Sequence, residues 1–538
     1  MKTVSQILGG HLRQYSMVLA LVLLIAFFQW QTDGKMITPT NFQNLLNGNS
    51  YVLIMAIGML FVIITGQIDL APGSVAAVVG ICVAMSIREG SAWWWVGVPV
   101  GVIVALGVGV ATGKSLRHRR KGQGTSVLTG IAVGLVAGAG VGLAMCLAIQ
   151  AFGIPWWGGV LIGLGVGALI GSWQGAWLAY IGVPGFITTL AGQMLFRGVY
   201  RWIGKAQSIP VPKEIQYLGG GYLPEWGPVT GLNNSTVLLG LLAIAAFAWL
   251  ELSRRAKRSR AGMEVAPMWA VAARIILLAA IIGYLTYLYG SGPVGTSFPV
   301  TGVILVVMVI IYNFISTRTP LGRGVYAVGG NRIAAGLTGI NTKKIYFLAM
   351  ANMSLMAAVA AIMFVGRSRS TGPSDGVGWE LDAIAAVFIG GAAVSGGVGT
   401  VFGCIIGGLV MATLNNGLYL MGVTSDLMSI IKGLVLLVAV AFDLYNKSQG
   451  RPSIIATMQR NFHMRKPAKD LAPAGGFTLE TPAEAVSLIP SFDGMAAADA
   501  ASGTPTAEAE NKGPSAPPDE GQVAPPDRTG GPTGSAGA

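Results

Sequence analysis

The feature that most limits this chain is a repeated apolar run. Stretches of about 17–25 apolar residues recur as far as Tyr445, each long enough to cross roughly 30 Å of hydrocarbon as a helix. Backbone in hydrocarbon has no water to bond, so a spanning segment is a helix or a strand of a closed barrel. These runs are continuous rather than alternating, which selects helices. Charge agrees: 11% of the 538 residues are charged, against about 25% in soluble domains. Mean hydropathy is +0.64. The chain reads as an all-α polytopic membrane protein.

A window suited to about 20-residue helices finds about fourteen spans. They lie near 16–33, 51–66, 74–87, 95–113, 125–148, 157–180, 186–203, 236–251, 268–289, 299–315, 345–365, 382–396, 399–415 and 427–444. The first run, Ser16 to Trp30, has no small-x-small cleavage site before its polar end and reads as an uncleaved span. Orientation follows from short basic loops. One cluster holds Lys114, Arg117, Arg119, Arg120 and Lys121; a second holds Arg254, Arg255, Lys257, Arg258 and Arg260. A softer third runs from Arg318 through Arg323 and Arg332 to Lys343 and Lys344. With the N-terminus in the cytoplasm, all three clusters and the C-terminus fall there too. The net charge of +13 is then a matter of topology and an anionic inner leaflet. It calls for no nucleic acid, since no soluble basic face exists.

Residues 1–447 form the expected membrane domain, and residues 448–538 a disordered cytoplasmic tail. The tail is rich in Pro, Gly, Ala, Ser and Thr, with too few large apolar residues to offset the entropy of ordering.

Chemistry-bearing motifs are sparse. Cys82, Cys146 and Cys404 sit inside apolar segments without CxxC spacing, and His11, His118 and His463 lie in expected loops or termini, so no disulfide framework or metal site is indicated. VGVATGKS at 108–115 has the end of a phosphate loop but Val108 where its first Gly belongs, at the end of a membrane run rather than a strand. No nucleophile elbow or zinc-protease motif occurs. Gly163, Gly167 and Gly171 repeat every four residues, as do Gly403 and Gly407, a spacing that lets helix backbones approach closely in lipid.

Two acids interrupt this pattern. Asp69 stands in GQIDLAPGSV, between two apolar runs and just before Pro72 and Gly73; Asp382 opens ELDAIAAVFIGG. An acid there reads as a solvated loop residue or as a cap on the following helix N-terminus. Two similar acid-led segments running in opposite directions are also what an inverted repeat gives. Thr188, Thr189 and Gln193 share a helix, and Asn415 and Asn416 lie near another span's end. Such polar groups bond neighbouring helices or line a polar path.

GQIDLAPGSV, GVPGFITTLAGQMLFRG (182–198), TPLGRGVYAVGGNRIAAGLTGIN (319–341) and WELDAIAAVFIGGAAVSGGVGTVFGCIIGG (379–408), in that order, resemble one family. It is the permease subunit of bacterial ABC importers for monosaccharides, the ribose, xylose, arabinose and galactose group. The resemblance covers about residues 15–447, and its length looks most like the xylose-type permeases. It implies a ten-helix core with two inserted helix pairs, near 95–180 and 236–290. It also implies a homodimer in the bacterial inner membrane, a cytoplasmic ATPase that holds the ATP and Mg, and a periplasmic sugar-binding protein. This chain would then carry no cofactor, no metal and no catalytic residue. The segment 319–341, with Thr319, Gly322, Arg323, Gly329, Asn331, Arg332 and Gly339, corresponds to the ATPase coupling segment; an ordinary basic loop is the plainer reading. Thr188, Thr189, Gln193, Asn415 and Asn416 are candidates for the sugar path. The stretch from Gly204 to Ser235, with Lys205, Lys213, Glu214, Tyr222 and Trp226, is the candidate docking surface for the binding protein. A ribose-type or multiple-sugar permease is the alternative within the class. An ion-coupled transporter should show carboxylates deep in its spans, which the sequence almost lacks, and a membrane enzyme would need a catalytic constellation.

Overall fold

The structure is a computed structural model describing residues 12–87 and 123–448, apart from residues 153, 206, 229, 230, 264 and 266, together with residues 102, 105 and 108. The expected span at 95–113 lies almost wholly outside the described residues, as do the basic cluster at 114–121 and the tail beyond 448.

The described chain is helical. In order it forms α1 (Leu12–Gln31), α2 (Pro39–Ile64), α3 (Pro72–Ile87), α4 (Gln123–Phe152), α5 (Trp156–Ala176) and α6 (Gly185–Gly204). A two-residue strand, β1 (Ile209–Pro210), precedes α7 (Lys213–Gly220), α8 (Asn234–Arg260), α9 (Met268–Gly290) and α10 (Val300–Arg318). Then come α11 (Pro320–Gly330), α12 (Arg332–Leu337), α13 (Thr342–Ser368), β2 (Ser370–Thr371), α14 (Trp379–Ile389), α15 (Val401–Leu420) and α16 (Ser425–Ser448). Seven of these are long and apolar enough to cross a membrane: α2, α5 with the π-turn that extends it to Ile181, α8, α9, α10, α13 and α15. Two expected spans, 74–87 and 382–396, are instead helices of 16 and 11 residues, about 24 and 16 Å long at 1.5 Å per residue. Neither reaches across hydrocarbon.

α2 and α13 form the centre and run antiparallel. Gly48 lies against Arg367, and Gly58 against Met353 and Met356. Polar groups on α2 fasten it laterally: Gln43 donates to the Tyr289 carbonyl at 2.8 Å, and Asn47 accepts from Thr301 at 3.2 Å. Such bonds replace a hydrophobic driving force that lipid cannot supply. α8 and α9 form a peripheral hairpin, with only 11% and 6% of their apolar windows buried, so their apolar surface is left for lipid.

The glycine spacing does what backbone contact requires. Along α5, a Cβ on Gly163, Gly167 or Gly171 would lie 2.6–2.8 Å from atoms of Val83, Ala358, Ser354 or Ala351. On α15, Gly403 and Gly407 lie against the carbonyls of Gly390 and Ala386.

Each central helix is followed by a break and then a short helix. α2 ends at Thr65, Gly66 turns with φ +77°, and Pro72 starts α3. α13 ends at Arg369 with φ +61°, β2 pairs antiparallel with β1, and α14 starts at Trp379. The starts of α3 and α14 meet: a Cβ on Gly73 would lie 2.0 Å from the Gly376 carbonyl oxygen, so only glycine fits.

A Gly167→Leu chain should be destabilised by about 1–3 kcal/mol by overpacking against α13, read as a lower thermal midpoint in detergent. Gly165→Leu, which faces open space, should leave the midpoint unchanged. Equal midpoints for the two variants would contradict the α5–α13 packing.

Candidate functional site

Two places in the fold gather the residues that chemistry can use. The first is the junction of the breaks. Asp69 Oδ1 accepts from the Ala71 amide at 2.9 Å, which folds the chain into α3. From α14, Glu380 Oε1 accepts from Gln193 Nε2 at 3.0 Å, and Arg197 donates to the Asp375 carbonyl. Thr189 reaches the Ile68 carbonyl at 3.4 Å. Thr189, Gln193 and Arg197 are thus one stripe of α6 at spacing four, and that stripe touches both breaks. Gln193 is midway along α6, so the junction lies level with the middle of that helix.

This corrects the grouping read from sequence. Thr188 is not part of the stripe; its hydroxyl donates to the Pro184 carbonyl at 3.2 Å on its own helix. Asn415 and Asn416 diverge. Asn415 bonds Asp382, whereas Asn416 donates to Asn41 Oδ1 at 3.0 Å, beside the start of α2. Nor does Asp382 cap α14. Gly378 is the cap residue, and Asp382 stands inside the first turn, held by Lys432 of α16 at 3.0 Å. Asp69, Glu380 and Asp382 are all buried, so the expectation of almost no deep carboxylates fails. Arg197, Glu380 and Lys432 were missed by sequence reasoning. The four-residue step from Thr189 to Gln193 to Arg197 was the available signal for the first.

The second place is the segment between α10 and α13. Thr319 Oγ1 accepts from the Gly322 amide at 3.2 Å and starts α11; Asn331 Oδ1 accepts from the Ala334 amide at 3.0 Å and starts α12. Gly322 and Gly329 are backbone contacts: a Cβ on Gly329 would lie 1.7 Å from the Ile64 carbonyl oxygen and 2.7 Å from the Gly397 amide. Tyr326 donates to the Gly399 carbonyl at 2.8 Å. Burial pushes its phenol above the ordinary value, keeping it a neutral donor. α11 is therefore locked to the end of α2 and to the loop between α14 and α15. α12 is the opposite case. Ile333 and Leu337, one turn apart, are 77% and 84% exposed, although the segment is not a membrane helix. Gly339, φ +84°, returns the chain to α13. Arg332 stacks over its own Tyr346 at 5.4 Å, and Arg323 is exposed, its Nη1 3.4 Å from the Arg318 carbonyl.

Residues 122–440 match the sequence family described as the permease component of the branched-chain amino acid transport system. The chain belongs to that family. Relatives matching over most of its length carry sugar names. The xylose transport system permease protein of Haemophilus influenzae is 33% identical over 440 residues, 82% of this chain and 98% of the relative. The ribose import permease protein of Escherichia coli K12 is 30% identical over 439 residues, 81% of this chain and 95% of the relative. A probable ABC transporter permease protein of the same strain is 42% identical over 142 residues, 26% of this chain and 43% of the relative. No solved structure matches.

In this permease the stretch from Gly204 to Ser235 lies at the end of α13 remote from α11 and α12. β1 pairs with β2 there, and α7 packs on Gly366 through Gly219. Lys205, Lys213, Glu214 and Trp226 are exposed, and Tyr222 is half-buried beside Pro299.

Replacing Lys432 by Met should cost about 2 kcal/mol, below the ~3–5 of a fully buried pair, because Lys432 keeps 26% of its side-chain exposure. Adding Asp382→Asn should recover most of that loss in thermal unfolding. A double variant no more stable than Lys432→Met alone would contradict the pairing.

Proposed function

We propose that this permease is the membrane subunit of an ATP-driven importer that moves a monosaccharide, D-xylose first among the candidates. ATP and Mg belong on a separate cytoplasmic ATPase, a binding protein delivers the sugar, and two copies of the chain form the path. The α11–α12 projection carries the reading. It presents two exposed apolar side chains, Ile333 and Leu337, on a short capped helix, while its base is fixed to the end of α2 and to the loop between α14 and α15. That is the form of a knob that seats in a partner's groove and transmits its movement. The relatives supply the sugar: their names are xylose and ribose permeases. A ribose-type substrate is the alternative that the second of these favours.

The finer arrangement follows. A ten-helix core with two inserted pairs gives about fourteen membrane segments, of which α3 and α14 are partial helices of an inverted repeat that do not cross. Antiparallel α2 and α13, each with a break and a short helix, support the repeat. Both termini are cytoplasmic, on the side of α12 and its basic neighbours. Residues 204–235, at the other end of α13, then face the binding protein. Thr189, Gln193 and Arg197 meet the path at the junction of the breaks, and residues 448–538 follow on the cytoplasmic side. The buried carboxylates do not argue for an ion-coupled transporter, because Asp382 is paired with Lys432 and the family is that of permease components.

Leu337→Asp should leave folding intact, since Leu337 makes little contact within its own chain. Losing its burial in a groove is worth about 1.5–3 kcal/mol, at least tenfold in retention of the ATPase subunit. Arg323→Glu should act in the same direction by reversing an exposed charge. The assay is pull-down of the ATPase together with its hydrolysis stimulated by sugar-loaded binding protein. Wild-type retention and stimulation in Leu337→Asp would refute the coupling role of α12.

A further inference from the structure

The α8–α9 hairpin is rooted at one end. The Asn233 amide donates to the Gly290 carbonyl at 3.0 Å, and Thr236 Oγ1 accepts from the Phe298 amide at 3.0 Å, just before α10. The start of α8, the end of α9 and the start of α10 are therefore together, beside Gln43 of α2, which holds the Tyr289 carbonyl. The turn between α8 and α9 lies at the opposite end, the one to which α10 leads and where α11 begins. The buried residues of α8, Thr236 and Gly240, are both in its first two turns. Those of α9 are Leu288, Tyr289 and Gly290 at the root, with Val271 near the other end. Most of the hairpin beyond its root is open surface.

α8 also overshoots its neighbour. It has 27 residues against 19 in α10, about 12 Å more at 1.5 Å per residue. The excess is the basic part. From Glu251 to Arg274 the sequence holds six bases and two acids, Glu251 and Glu264. Glu251 is taken by Arg274 at 3.4 Å, which sets the register of the hairpin. Arg254, Lys257, Arg258 and Arg260 are exposed. Arg254 and Arg258 are four residues apart, and Lys257 and Arg260 three, so these like charges are neighbours that repel; α8 is nevertheless helical to Arg260. The helix C-terminus offsets part of that repulsion, and a bound anion would offset more. Two tryptophans bracket the Glu251–Arg274 pair. Trp249 lies on its apolar side and Trp269 on its basic side, 68% and 75% exposed. An apolar ring with one polar N–H suits the boundary between hydrocarbon and headgroups. Leu238, Leu242, Trp249 and Arg260 follow one another at four, seven and eleven residues, each close to a whole number of turns. One exposed face of α8 thus runs from aliphatic to aromatic to cationic.

We propose that this face binds an anionic phospholipid, with the acyl chains along Leu238 and Leu242, the glycerol level at Trp249, and the phosphate held by Lys257 and Arg260. Arg254 and Arg258 stand on the adjoining face and add to the positive field. The order of chemistry along α8 is the order within such a lipid, and that selects the occupant. An acidic protein surface would match the bases and leave the leucines and Trp249 without a role. Arg260 offers a planar fork that fits phosphate oxygens, and Lys257 a point charge. The leaflet is the one on the α11 side, cytoplasmic in the orientation proposed above. The hairpin, held by protein at its root, is held by lipid at its turn.

The test uses the full chain without partner subunits, so it stands apart from the sugar reading. Native mass spectrometry should show the wild type retaining phosphatidylglycerol over phosphatidylcholine. The double variant Lys257→Gln, Arg260→Gln should lose that preference by about tenfold or more, whereas Lys343→Gln, Lys344→Gln, exposed bases elsewhere in the chain, should keep it. A second measurement leaves every charge in place and so does not disturb insertion. In phosphatidylcholine nanodiscs, a small fraction of brominated phosphatidylglycerol should quench tryptophan fluorescence more than the same fraction of brominated phosphatidylcholine. Trp249→Phe should abolish most of that excess. Wild-type lipid preference in the Lys257, Arg260 variant, an equal loss in the Lys343, Lys344 variant, or an excess quenching unchanged by Trp249→Phe would overturn the proposal. So would a second copy of the chain released by the Lys257, Arg260 variant with lipid preference intact.

Discussion

A backbone amide or carbonyl without a partner in hydrocarbon costs several kcal/mol, and this chain interrupts its two most central helices. The rest of the structure follows from how those interruptions are satisfied. The carbonyl of Ile64, at the end of α2, accepts from the Gly397 amide at 2.8 Å. The Ala71 amide is taken by Asp69, and the Gly372 amide by Asp375 Oδ2 at 2.8 Å. Each break is thus completed by another part of the chain, and irregular backbone is buried in protein where it could not face lipid. Glycine at positions 73 and 376 is the steric condition, because the two chain segments touch there.

That arrangement links the interior to one surface. The residues that complete the end of α2 are Gly329 of α11 and Gly397 of the loop between α14 and α15. α11 in turn carries α12, whose Ile333 and Leu337 are exposed. A displacement of α12 would therefore reach the end of α2, and the loop between α14 and α15 that closes it, through backbone contacts that cannot stretch. Packed interiors transmit such shifts because they are dense. α6 closes the circuit, with Thr189 on one break and Gln193 and Arg197 on the other.

Much of this was legible in the sequence. Apolar runs announce helices, four-residue glycine spacing announces close helix packing without naming the partner, and Asp69 beside Pro72 marks a break. The polar, Gly-rich 319–341 stands apart from denser basic clusters. What the sequence hid depends on partners remote in the chain. Gln193 and Glu380 are 187 residues apart, and no local pattern brings them together. Asp382 looked like a cap because an acid opened a span; the helix begins at Trp379, which moves Asp382 inside the first turn and gives it to Lys432. Hydropathy windows also read α3 and α14 as spans, since a partial helix buried in protein is as apolar as one that crosses lipid.

The rigidity of the joint between α11 and the end of α2 is tested most directly by the sugar imported per ATP hydrolysed, in proteoliposomes with the ATPase and the binding protein. Gly329→Ala places a Cβ against the Ile64 carbonyl, whereas Gly330→Ala meets nothing within 4 Å. The transmission path predicts that Gly330→Ala matches the wild type. Gly329→Ala should keep the ATPase bound and hydrolysing but move several-fold less sugar per ATP. An unchanged ratio in Gly329→Ala would contradict it.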